Sequence, residues 1–180
     1  MGTIHPPQQV KLFVGILASL PDILPAVEPR LSALYGPVDV RSEEFAFDFT
    51  HYYDGEMGSP IHRYFLGFSK LIEPGEIAGI KVKTNELEAA LALDWSQVKR
   101  PANLDPGYVE QAKIVLASTK NYYHRIYLSG GIYAEVTLHF ESGAWQSLPW
   151  TFPDFQSGRY HSFFTELRNT YRVQLHSQGR

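Results

Sequence analysis

The side chains best suited to chemistry in this chain are a set of cations, several acids and a run of tyrosines, and they are densest between residues 103 and 140. Lys113 and Lys120 lie seven positions apart, which on a helix puts them on one face, two turns apart. His124 and Arg125 follow closely. Cations gathered in this way suit a phosphate or a carboxylate, Arg through a planar two-pronged contact and Lys as a point charge. Asp48, Asp54 and Glu56 share one stretch; Glu86, Glu88, Asp105 and Glu135 come later. A carboxylate beside an anion site can serve as general base, and two or three converging carboxylates would suit Mg²⁺, which prefers oxygen ligands and retained water. Glu135, Asp48 and Asp105 are therefore the catalytic candidates. Arg125, Lys113, Lys120 and Asn85 are ligand-binding candidates, and Tyr52, Tyr53 and Tyr108 offer flat rings on which a base could stack. Plainer readings stand beside these: lysines border wet helix faces, Asp105 caps a helix, His124 packs among apolar neighbours, and tyrosines fill rims and cores.

The elements that must position these groups follow from spacing. Asp105-Pro106 reads as a helix start, because Asp accepts orphan backbone N–H groups and Pro fits the next position. Val109, Ala112, Leu116 and Thr119 then recur at helical spacing. Beyond this helix come two alternating segments, His124–Leu128 and Ile132–Phe140, joined at Ser129-Gly130-Gly131. A three-residue loop pairs Leu128 with Ile132 and sets Arg125 opposite Glu135. His124, Ile126 and Leu128 then share an apolar face. Tyr123, Arg125, Tyr127, Tyr133, Glu135, Thr137 and His139 share the other, which is either a solvated sheet face with a cross-strand ion pair or a ligand-binding face.

Elsewhere, residues 1–9 read as a flexible tail. Val10–Ala18 is apolar on both faces and reads as a central strand. A helix runs from Pro21-Asp22 to about Tyr35, with Pro29 as a point of kinking, and Gly36-Pro37 stops it. Val38–Phe49 is a strand whose change of parity requires a bulge near Ser42-Glu43-Glu44. Asp48–Pro60 is a polar, aromatic loop of the kind that carries function. Ile61–Leu71 is a strand, Glu73–Leu93 a helix in two pieces broken near Gly79, and Pro101–Leu104 a short strand. Trp145–Phe155 is extended, and Ser157 caps a last helix with Tyr160, Phe163, Phe164, Leu167 and Tyr171 as its buried stripe. The class is α+β: a ferredoxin-like βαββαβ unit extended by a helix, a β-hairpin and a C-terminal helix around one mainly antiparallel sheet, in a single domain spanning 1–180.

Composition narrows the function classes. The 180 residues are 44% hydrophobic and 19% charged, enough for an ordinary core. With no cysteine, disulfides, thiolate metal sites and Cys nucleophiles are excluded. A net charge of −3 gives no footprint for tight non-specific nucleic-acid binding, though a local basic patch stays open. No apolar run approaches a membrane span and the N-terminus lacks a signal-peptide pattern, so a cytoplasmic protein is expected. There is no phosphate loop, no dinucleotide fingerprint, no HExxH and no GxSxG.

The segments VKLFVGIL, FDFTHYYDGEMGSP, IKVKTNELE, NLDPGYVEQAKIVLAS, HRIYLSGGIYAEVTLHF and LPWTFPDF together resemble the prokaryotic domain-of-unknown-function family numbered 4416, over roughly Gln8 to Gln174. The resemblance implies a small prokaryotic domain without an established activity. Members are sometimes labelled GTP-binding proteins, a label the missing phosphate loop does not support. Residue chemistry ranks first a protein that binds a nucleotide or other phosphorylated small molecule, as an enzyme using carboxylate acid–base or metal chemistry. Behind it come a noncatalytic RNA- or protein-binding module using the aromatic sheet face, and a structural homodimer.

Overall fold

The computed structural model describes residues 2–178. Among them, β1 (Val10–Ala18), β2 (Val38–Arg41), β3 (Phe45–Ala46), β4 (His62–Ile72), β5 (Ala102–Val109), β6 (Lys113–Ser118), β7 (Ile126–Ser129), β8 (Ile132–Glu141) and β9 (Ala144–Ser147) form one antiparallel sheet. Its order is β2-β4-β1-β5-β6-β8-β7, with β3 added to β4 and β9 to β8. The helices are α1 (Ile23–Tyr35), α2 (Asp54–Met57), α3 (Ile77–Asp94), α4 (Pro153–Gln156) and α5 (His161–Gln178). The class expected from sequence, α+β around a mainly antiparallel sheet, is the class observed.

Helices cover both faces of β1, which is why that strand is buried throughout. Leu12, Val14, Ile16 and Ala18 pack into one core with Ile23, Val27 and Leu31 of α1 and Ile77, Ile80 and Leu91 of α3. Phe13 belongs to a second core on the opposite side, with Phe65, Phe155, Tyr160, Phe163, Phe164, Leu167 and Tyr171. Phe65 stacks on Phe163 at 5.1 Å and meets Phe164 edge-on at 5.2 Å. The apolar stripe read into the last helix is thus the one that docks it. Lys11, also on β1, is fully buried and donates to Asp39 at 2.7 Å, Phe68 O at 2.8 Å and Gln174 Oε1 at 3.1 Å, tying α5 to the sheet.

The main correction falls on residues 105–119. They form no helix: β5 runs through Asp105-Pro106, a turn covers 110–112, and β6 follows. The extra helix of the expected architecture is therefore a hairpin, and Asp105 is a strand residue rather than a cap. The same apolar positions suit either period, and Val109, Ile114 and Val115 are β-branched residues that favour a strand. Proline is tolerated here because β6 pairs β5 only over Gly107–Val109, leaving the edge from Ala102 to Pro106 without that neighbour.

Smaller corrections follow. The helix 73–93 does not break at Gly79; a 3-10 turn at Pro74–Glu76 leads straight into α3. The strand expected over 38–49 is divided into β2 and β3, and the gap falls at the anticipated Ser42-Glu43-Glu44. Residues 153–156 are helical, not extended, and Ser157 lies before α5 without capping it, its Oγ donating to Asp154 O at 2.5 Å. The β7–β8 turn has two residues, Gly130 and Gly131, both at positive φ, with Ser129 facing Ile132. A bulge at Leu128 then restores the expected register, so Tyr127 faces Tyr133. Ile126 and Leu128, expected on a buried face, are 72% and 39% exposed because β7 is the outer strand of the sheet.

Candidate functional site

Where β6 parts from β5, the sheet opens into a cleft of about 640 Å³. On the bare edge of β5 both backbone groups of Leu104 are satisfied from α3 instead of from a strand. Lys81 Nζ donates to Leu104 O at 2.7 Å, and Glu88 Oε1 accepts from Leu104 N at 2.7 Å. These helix side chains thereby reach the cleft floor, where Asp105 stands.

Asp105 lies opposite Gly15 of β1, which in turn lies opposite Phe65 of β4. A Cβ on Gly15 would sit 3.1 Å from Arg63 Nη1. The missing side chain lets Arg63 reach from β4 across β1, where its Nη1 donates to Asp105 Oδ2 at 3.3 Å and its Nη2 to Asp154 Oδ2 at 3.5 Å. Arg63 is 5% exposed, yet both contacts are long and its buried Nε has no hydrogen-bond partner. Asp105 Oδ1 accepts from Lys81 at 3.4 Å, and Oδ2 from Asn103 Nδ2 at 2.6 Å. Arg100 donates to Glu88 Oε2 at 2.8 Å and to Asn103 Oδ1 at 2.5 Å, which closes the network.

Environment separates the acids. Burial alone would raise the Asp105 pKa, but Lys81 and Arg63 outweigh it and hold the carboxylate below its usual range. Burial dominates at Glu88 and at Asp154, and both are pushed up despite their cationic neighbours.

At the hairpin end, Arg125 Nε donates to Glu135 Oε2 at 2.6 Å, and its Nη1 to Ser118 Oγ at 2.7 Å and Lys120 O at 2.9 Å. His124 Nε2 lies 2.9 Å from the same Glu135 oxygen, and its ring stacks on Trp150 at 5.4 Å. The Arg125–Glu135 contact read from the register is present, but the pair is buried rather than solvated, because residues 148–152 fold over β8. Trp150 Nε1 donates to Val136 O and Thr151 Oγ1 to Thr137 O. His124 is packed as expected, its ring stacked on Tyr122 and Trp150, but its Nε2 faces the buried ion pair rather than an apolar neighbour. Aromatic rings line the mouth: Phe47, Phe49, Tyr52, Tyr53, Tyr122 and Phe152. Lys120 Nζ lies 4.9 Å from the Tyr52 ring centre, bridging two rim loops.

Of the ten site residues singled out in the sequence, seven line this cleft: Asp105, Glu135, Arg125, Lys120, Tyr52, Tyr53 and Asn85. Three lie elsewhere. Asp48 is exposed and accepts from Arg159 at 2.7 Å, Lys113 pairs with Glu110 at 2.9 Å, and Tyr108 packs in the α1/α3 core. The shared helix face of Lys113 and Lys120 vanished with the helix. Asp54 pairs with His51, so the 48–56 acids do not converge, and among the described residues no three His, Asp or Glu side chains are grouped to hold a metal.

Sequence reasoning passed over Arg63, Lys81, Glu88, Arg100, Asn103 and Asp154 as a group. A signal existed for two sets. Arg63 interrupts the apolar alternation Ile61-x-Arg63-x-Phe65, and Lys81, Thr84, Asn85 and Glu88 share a face at helical spacing.

No helix of the described residues is long and apolar enough to cross a membrane. Neither the curated proteins nor the solved structures contain a match to the chain. The family model described as Domain of unknown function (DUF4416) matches residues 8–171, a span that takes in every strand, the whole cleft and most of α5, and the chain belongs to that family.

Proposed function

We propose that the cleft binds a small anionic molecule carrying a flat ring, a nucleotide or another phosphorylated metabolite. One observation carries this reading: Arg63 is a poorly satisfied buried guanidinium at the floor of a cleft whose walls hold more cations than carboxylates. The cations are Arg63, Lys81, Arg100, Lys120 and Arg125, against Glu88, Asp105, Glu135 and Asp154. The surplus is positive although the chain as a whole carries −3. A bound anion supplies the oxygen acceptors that Arg63 lacks, and low-dielectric walls strengthen each contact. The rim tyrosines and phenylalanines supply stacking surface for a ring.

In this reading Arg125, which lines the cleft, contributes to the anion site, and Glu135 positions Arg125, since the Glu135 carboxylate is buried and already accepts from Arg125 and His124. Asp105, held ionised between cations, accepts hydrogen bonds from ligand hydroxyl groups. The alternative, an aromatic face for RNA or a protein, would use Tyr123 and Tyr127, which are 89% and 58% exposed.

A thermal-shift comparison of AMP, adenosine, ribose 5-phosphate and inorganic phosphate tests the reading. At 100 times its dissociation constant a ligand stabilises the fold by ~2.7 kcal/mol, or ~5–10 °C for a domain of this size. AMP should give the largest shift, reduced in Lys120→Ala and in Tyr52→Ala, two exposed rim positions. No shift with any of the four, or a shift indifferent to both variants, overturns the proposal.

A further inference from the structure

Asp154 is a buried carboxyl that the anion site has not yet used. It is the second residue of α4, its side chain is 6% exposed, and it lines the cleft floor. Its contacts to other side chains are both long. Arg63 Nη2 reaches it at 3.5 Å and Tyr160 Oη at 3.4 Å. Asp105, sharing the same guanidinium, also accepts from Asn103 at 2.6 Å and Lys81 at 3.4 Å. One guanidinium therefore serves two carboxylates and holds Asp154 the more loosely.

The groups facing Asp154 are Arg63 from β4, Asp105 from β5, Tyr160 from the turn before α5 and the Phe155 N–H of its own helix. Burial disfavours its ionised form first of all; Arg63 and the Phe155 N–H oppose that, and Asp105 adds to it. An anion arriving at Arg63 adds a further negative neighbour and competes for the one guanidinium that Asp154 has. Like charges crowded around one site drive a carboxyl to its neutral form.

Resting on the anion-binding reading above, we propose that Asp154 is the proton-accepting member of the ligand site: a tetrahedral dianion of the phosphate-monoester class binds at Arg63 together with one proton from solvent, which resides on Asp154. The carboxylate becomes a carboxylic acid, and its O–H donates to an oxygen of the bound anion. A single residue thereby converts a repulsive neighbour into a donor. The device favours dianions with free oxygen acceptors over neutral sugars or nucleosides.

Calorimetric titration of the full chain with sulfate and with inorganic phosphate, in buffers of different protonation enthalpy from about pH 5 to about pH 9, counts the protons taken up. Sulfate takes no proton in this range, so any uptake with it belongs to the protein. Uptake should approach about one proton per sulfate between the pH at which Asp154 ionises in the free protein and the higher pH at which it ionises in the complex, and across that same interval wild-type affinity should fall by up to about tenfold per pH unit. Asp154→Asn keeps the shape and a permanent donor. It should still bind sulfate, with uptake near zero and an affinity that no longer depends on pH. Sulfate binding without uptake at every pH, or uptake that persists in Asp154→Asn, overturns the proposal while leaving the anion site standing. Should that variant fail to fold, the wild-type profile decides alone, and a flat one overturns it. Failure of both anions to bind the wild-type chain removes the anion site and this inference with it.

Discussion

Replacing Glu135 by alanine should cost far more than a surface ion pair would. The Glu135 side chain is 0% exposed and that of Arg125 1%, with 2.6 Å between carboxylate and guanidinium. Removing the carboxylate strands a buried cation whose remaining acceptors are Ser118 Oγ and Lys120 O, and leaves His124 without its partner. Stranding one member of a buried pair costs ~3–5 kcal/mol. Against a net stability of ~5–15 kcal/mol this is a large fraction, and it corresponds to ~6–20 °C in melting temperature. The exposed pair Arg41–Glu28 is the internal control, where Glu28→Ala should cost ~1 kcal/mol or less. Urea unfolding followed by circular dichroism measures both. The double replacement Arg125→Met with Glu135→Leu should recover much of the loss, because it leaves no unpaired charge. A Glu135→Ala variant within ~1 kcal/mol of wild type, or a double variant no better than the single one, would refute the burial argument.

Gly15→Ala should weaken phosphate binding several-fold at a modest cost in stability, because the new methyl group crowds Arg63 Nη1 and the Phe65 ring, each at 3.1 Å; unchanged affinity in a calorimetric titration would count against Arg63 as the anion's anchor. Gly107→Ala should instead destabilise by ~1–3 kcal/mol or more, since its Cβ would lie 2.6 Å from both Phe13 Cζ and the rigid Val115 carbonyl oxygen; denaturant unfolding reads this directly. The phenols of Tyr35 and Tyr171 are pushed up to about 12 from the ordinary 10.0, by burial first and then by Glu86 and Glu110 respectively. Raised folded-state values mean stabilisation that is complete below about pH 10 and lost as pH rises toward 12. Unfolding measured across that interval should show the decline, lessened in Tyr171→Phe, and a flat profile would contradict it.

What could be read from the sequence was whatever left a one-dimensional trace. Val10–Ala18 carries apolar residues at every parity, so its central place was visible. Tyr160, Phe163, Phe164, Leu167 and Tyr171 repeat at helical spacing, so α5 was visible. Hairpin register put Arg125 beside Glu135, and a bulge at Leu128 preserved that pairing although the turn is one residue shorter. Residues 105–119 failed for a physical reason: Asp-Pro is a good helix start, and Val109, Ala112 and Leu116 fit a helix, yet the strand wins through pairing with β1, a contact across some ninety residues that no local pattern records. The cleft was half legible. Its hairpin side came from alternation, whereas its floor exists because β5 and β6 part after three paired positions, letting Lys81 and Glu88 stand in for a strand. Arg63 depends on Gly15, two residues that meet only when β4 lies beside β1.

The most direct test of the anion site is an NMR titration of the arginine side-chain Nε–H signals with AMP, with Arg63 assigned through an Arg63→Lys variant. Arg63 lines the cleft and its buried Nε has no hydrogen-bond partner, so its resonance should move with saturable dependence on AMP, together with that of Arg125, while Arg172, outside the cleft, stays still. Movement confined to arginines outside the cleft, or no movement at all, would contradict the assignment of this cleft as the ligand site.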